Sequence, residues 1–112
     1  MTKEQLRNYL PMKKEQRQIE QRLRNLERSP ESEQEMLQPL RECYTKKLEE
    51  LVAAQLEIER AIGTLDDPTE RTILRLRYID GQSWYKIMTT INYSEQQTHR
   101  IHARSLIRLK NL

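Results

Sequence analysis

The chain contains no phenylalanine, one tryptophan, one cysteine and two glycines in 112 residues. Each scarcity excludes something. A lone Cys43 cannot form an internal disulfide, which rules out a disulfide-stapled secreted scaffold and makes a reducing, cytoplasmic setting the expectation. With glycine only at Gly63 and Gly81, no glycine-rich loop exists to cradle phosphates. No uninterrupted apolar run approaches the roughly 18 residues of a membrane span. The opening Met1-Thr2-Lys3-Glu4-Gln5 lacks the apolar core of a secretory signal. What remains is 36% hydrophobic and 33% charged residues, a balance that suits long solvated helices better than a sheet, so the expected fold class is all-α.

The net charge of +3 is small, but its distribution is uneven. Residues 1–28 carry eight Lys/Arg against four Glu, 29–65 carry four against eight, and 66–112 carry eight against five. The first two blocks cancel, and the excess sits at the C-terminal end. From Trp84 onward five basic residues face one acidic residue. On a helical fold that can enter a groove, such a surface is the electrostatic footprint of a nucleic-acid binder; charge alone favours the plainer reading of a solvated helix face.

Residues 1–65 read as a helical, coiled-coil-like hairpin arm. Tyr9, Met12, Gln16, Ile19, Leu23 and Leu26 follow a heptad-like spacing. Pro11 either opens the helix or kinks it. Arg28-Ser29-Pro30-Glu31-Ser32 is a loop, and a second helix carries Leu37, Tyr44, Leu51, Ile58 and Leu65 at intervals of seven. Leu40, Leu48, Ala54, Ala61 and Ile62 widen that stripe, and Pro39 suggests that the regular helix starts only there. The first seam is too narrow to cover the second. The sevenfold series is therefore expected to meet a partner helix, most simply in a homodimer.

Residues 66–112 read as a three-helix DNA-binding unit. Asp67-Pro68-Thr69-Glu70 is a helix start, with Asp at the cap, Pro first and Glu third. Ile73, Leu74, Leu76 and Ile79 lie on that helix, which stops at Asp80-Gly81. Ser83 caps a short helix whose Trp84, Ile87, Met88 and Ile91 mark one buried face. Asn92-Tyr93 turns, and Ser94-Glu95-Gln96-Gln97 is a capping box. On the helix that follows, Thr98, Ile101, Ser105, Leu109 and Leu112 cluster on one side, with Gln96, His99, Arg100 and Ala103 opposite and Arg104 and Gln97 on a flank. A short capped helix, a tight turn and a longer helix with hydrogen-bonding side chains on its outer first half are what major-groove reading requires.

These residues carry a resemblance. Arg71 through Trp84, then Tyr93-Ser94-Glu95 and Arg100-Ile101-His102-Ala103-Arg104-Ser105-Leu106, resemble region four of the primary bacterial sigma factors, which binds the promoter −35 element. The chain is also similar to small phage and mobile-element proteins of low-GC Gram-positive bacteria that place a helical N-terminal part before such a unit and are taken to be transcriptional regulators. The resemblance implies base reading by Glu95, Gln96, His99 and Arg100, the last three of which the helix geometry also selects.

The expectation is a sequence-specific duplex-DNA-binding regulator, not an enzyme, that uses no cofactor or small-molecule substrate and makes no membrane contact. Tyr85, Lys86, Ser94, Arg104 and Arg108 are expected at DNA phosphates, and RNA polymerase is a further candidate partner. Two alternatives are a terminase small-subunit-like DNA recognition protein, and an interaction module that docks on polymerase. His99 and His102 are three apart, but a structural metal site needs four ligands and Cys43 is the only other soft one, so both read as polar helix surface. Cys43 lacks a paired base or a sharp turn, and the Glu residues of the arm read as solvated partners of neighbouring Lys and Arg.

Overall fold

The computed structural model describes residues 1–111; the placement of Leu112 on the core face of the last helix lies outside them. Every regular element among the described residues is helical, so the protein is all-α. In order these are α1 (Lys3–Arg7), α2 (Tyr9–Glu27), a single 3-10 turn (Glu31–Glu33), α3 (Gln34–Gly63), α4 (Pro68–Leu74) running into a wide π turn (Arg75–Ile79), α5 (Trp84–Ile91) and α6 (Glu95–Lys110). None of these helices is long and apolar enough to cross a membrane.

The break between α1 and α2 follows from Pro11. A proline ring meets the carbonyl four residues back, here Arg7, and offers no N–H to it, so the helix is interrupted at Asn8. Thr2 and Gln5 form a reciprocal capping box at the start of α1. Pro39 has a milder effect. Contrary to the expectation of a start near it, α3 begins at Gln34, and Pro39 merely forgoes one bond, to the Glu35 carbonyl.

The chain folds as two compact units, Pro11–Leu56 and Met1–Leu10 together with Glu57–Leu112. They do not coincide with a division into 1–65 and 66–112, because both ends of the expected arm pack with the C-terminal helices. The first unit is an antiparallel hairpin. Gln34 Nε2 closes its loop by donating to the carbonyls of Leu26 (3.0 Å) and Ser29 (2.9 Å). Deeper in, Gln55 donates to Gln16 across the pair (2.8 Å), and the Arg22 guanidinium lies 5.9 Å from the Tyr44 ring centre. Ile19 and Leu51 are buried.

In the other unit α4 packs on α6, and Leu6, Tyr9, Ile58, Ile62, Leu65, Ile73, Leu74, Tyr78, Ile87 and Leu109 form the core. The Met1 ammonium donates to the Leu109 carbonyl (3.1 Å). Gly81 ends the π turn at φ +69°, and a Cβ there would stand 3.1 Å from Leu10 Cδ1. Both the left-handed backbone and the close approach of α2 therefore favour glycine.

The seam expected to meet a partner is largely covered within the chain. Leu51, Ile58 and Leu65 are each 5% exposed or less, and only Leu37 and Tyr44 remain half-buried. The apolar surface that α3 does leave exposed lies at Met36, Val52 and Leu56 and, from the widened stripe, at Leu40. Each unit supplies more cover than the single facing heptad series suggested: Gln16 and Gln55 fill one layer of the hairpin as a bonded pair, and α1 and the C-terminal helices bring in residues distant in sequence.

Candidate nucleic-acid interface

The local chemistry of residues 83–97 builds two helices joined by a tight turn. Ser83 Oγ accepts from the Lys86 backbone N–H (3.2 Å) and starts α5. Asn92 ends it in the left-handed region (φ 58°, ψ 44°), a conformation an Asn side chain tolerates. Ser94 then caps α6. Its Oγ accepts from the Gln97 backbone N–H (3.2 Å), while Gln97 Oε1 accepts from the Ser94 N–H (3.2 Å). The second helix therefore follows the first across only three residues, Asn92 to Ser94.

The inward face of α6 is Thr98, His102, Ser105 and Leu109. Ile101, expected in this row, is only half-buried, and His102, expected at the surface, takes its place. The change follows from small polar side chains: Thr98 and Ser105 return their hydroxyls to their own helix, at the Ser94 (2.8 Å) and His102 (2.6 Å) carbonyls, and so need no partner across the interface. His102 Nε2 shares a 2.8 Å hydrogen bond with the Tyr78 hydroxyl, and the two rings stack at 5.8 Å between centres. Burial, reinforced by the charges of Lys3, His99 and Arg77, lowers the His102 pKa to about 4, so the imidazole is neutral at physiological pH. Burial likewise raises the Tyr78 pKa, against the opposing pull of Arg7 and Arg77.

The outward face of the first turns presents Glu95, Gln96, His99, Arg100 and Ala103, all exposed. Gln96 and Arg100 make no side-chain hydrogen bond among the described residues. His99 is more constrained: its ring meets Trp84 edge-on at 4.8 Å, and Nε2 stands 4.0 Å from Glu95 Oε1. Trp84 is half-buried rather than sealed in the core, with the Arg77 guanidinium 4.8 Å over its ring and His102 edge-on at 4.6 Å. On α5, Tyr85 and Lys86 are exposed, Tyr85 at 77%.

Two of the expected phosphate contacts have other bonds. Arg104 Nε donates to Glu70 Oε1 (2.7 Å) and its NH2 to Asp67 Oδ2 (3.1 Å), while Arg108 NH1 reaches the same Glu70 oxygen (2.9 Å). Glu70 is fully buried and does not reach back to its own helix cap as expected. Asp67 caps α4 alone, through the Thr69 N–H (2.8 Å). Arg104 and Arg108 thus tie α6 to α4, since a buried carboxylate needs compensating charge. Their one-sided basic spacing on α6 is what a phosphate-facing row would also show; only the partner 34 residues away tells the two apart. Ser94 serves as the cap, and among the described residues the Tyr85 and Lys86 side chains have no competing bonds.

A comparison with known protein families adds one match. Residues 34–110 fit the model of a protein of unknown function, DUF1492. The chain belongs to this family. The matched stretch takes in α3 and continues through α6. No curated protein and no solved structure matches the chain.

Proposed function

We propose that this DUF1492 member is a transcriptional regulator of a phage or mobile element that binds duplex DNA through α6, with a sigma-region-four-like helix-turn-helix. The observation that supports this most is the division of labour on α6. Its inner face is committed to packing, while Gln96 and Arg100 project from its first two turns with unused hydrogen-bonding groups. Arg grips guanine and Gln grips adenine in the geometry of the major groove, and Ala103 is small enough to admit close approach. Lys86 and Tyr85 flank this face as phosphate contacts, with Glu95 and His99 as further base contacts.

Selection of bound duplexes from a random pool, with the salt dependence measured on the winner, tests the proposal. Arg100→Ala is expected to cost about 1–3 kcal/mol on the selected site and to relax discrimination at one base pair. Equal weakening on every sequence would reassign Arg100 to a phosphate. Absence of any salt-dependent duplex binding would end the proposal.

A further inference from the structure

Beside α6 lies a half-enclosed cavity of about 340 Å³, within the size range of small-ligand sites. Lys3 and Arg7 reach it from α1, Arg77 and Tyr78 from the π turn, Trp84 from α5 and His102 from α6, while Leu6, Leu10 and Gly81 complete the wall. Three of these residues are cationic and none is acidic.

We propose that this cavity is a binding site for a phosphate group. Lys3 and Arg7 stand one helical turn apart on α1, a like-charge spacing that is unfavourable when nothing lies between the charges. Among the described residues, no carboxylate comes within ion-pair distance of Lys3, Arg7 or Arg77; the four close pairs involve only His99, Arg104 and Arg108 as the basic partner. Arg77 spends one N–H on the Gln82 carbonyl (3.1 Å) and lays its guanidinium over Trp84, which holds the fork in place and, among the described residues, leaves its other donors unbonded. The charges converge on the back wall: Lys3 and Arg77 disfavour a proton on His102, and Arg7 and Arg77 act on the Tyr78 hydroxyl. An anion would relieve this repulsion. Two guanidinium forks and an ammonium offer more donors than one carboxylate can accept, and they match the several oxygens of a phosphate. With Arg77 over the Trp84 ring, that ring face is not free for a base to stack on, so the site is for the phosphate itself.

The phosphate can belong to a free molecule or to a nucleic-acid backbone, and two arms of one experiment separate these sources. Trp84 is the only tryptophan, so its emission reports the cavity. In the first arm, inorganic phosphate is titrated into the full chain against chloride and acetate at matched ionic strength. A saturable change with phosphate alone is expected, weakened at least tenfold in Lys3→Gln/Arg7→Gln. Arg7→Lys, which keeps the charge and loses the fork, should fall between, and this milder variant carries the comparison if the double variant melts early. In the second arm, the salt dependence of duplex binding is compared between wild type and the double variant. A slope lowered by about two makes a backbone phosphate the ligand, whereas an unchanged slope with lost phosphate binding makes it a free molecule. The first arm needs no DNA binding and stands whether or not α6 reads a groove. The proposal is overturned if phosphate gives no saturable change and the duplex slope is unmoved, or if the substituted proteins bind phosphate as tightly as wild type.

Discussion

At the scale of single residues, similar side chains on α5 and α6 part company according to what they touch. Lys86 and Arg104 are both exposed basic residues of the C-terminal helices, yet only Arg104 is bonded to a buried carboxylate. Lys86→Ala is expected to lower the salt slope of duplex binding by about one and to leave the melting temperature unchanged. Arg104→Ala should instead cost about 2 kcal/mol of folding stability, the worth of a hydrogen bond to a charged group, with Arg108 still pairing Glu70. Urea melts and salt titrations on the two variants check this contrast. The surroundings of His102 set its protonation. The His102 pKa is about 4 in the fold and near 6.5 unfolded, so between those values the unfolded chain binds a proton that the native chain refuses. Stability is therefore complete above about pH 6.5, falls as the pH drops toward 4, and loses about 3 kcal/mol across that window. Urea midpoints at pH 7, 6, 5 and 4.5 measure it, and His102→Gln should flatten the slope.

At the scale of elements, the caps of the C-terminal helices were legible and the helix partners were not. Asp67, Ser83 and Ser94 cap where their sequence position says they should, Asn92 turns left-handed, and Gly81 stops the helix before α5. Each of these bonds or torsions spans a few residues, so the amino-acid types alone announce them. Gly81 also carries a longer-range duty, the close approach of Leu10. Gly81→Ala is expected to cost about 1–2 kcal/mol, chiefly through the positive φ, because the Leu10 side chain is exposed and can give way. Gly81→Asn should cost less, and thermal melts of the pair distinguish torsional strain from crowding. The π turn before Gly81 had no sequence signal: Asp80 bonds the Arg75 carbonyl five residues back (2.9 Å), and Arg75 to Ile79 read as ordinary helix.

At the scale of the whole molecule, burial of Leu51 and Ile58 inside the chain changes what their substitution should do. Had they formed a free seam, Leu51→Asp with Ile58→Asp would split a dimer and leave folded monomers. Buried as they are, each in its own unit, the two carboxylates would lie without partners, at a cost of several kcal/mol. The expected outcome is loss of the cooperative melt and of helical circular dichroism, and sedimentation of the variant tells an unfolded chain from a folded monomer. Val52→Asp with Leu56→Asp, on the exposed side of α3, should leave the fold intact.

The sequence by itself determined the helical class, the caps of the C-terminal helices, and the exposure of Gln96 and Arg100 on α6. Periodicity and caps act within one or two turns, and the chain carries them wherever it goes. Only the tertiary structure decided the fate of charged and polar groups whose partners are remote. It sent Arg104 and Arg108 to Glu70, buried His102 against Tyr78, covered Leu51, Ile58 and Leu65, and set Lys3 and Arg7 beside Arg77. A basic residue on a helix has the same spacing whether it faces a phosphate, a carboxylate or water; what differs is the surface brought opposite it, and folding alone supplies that.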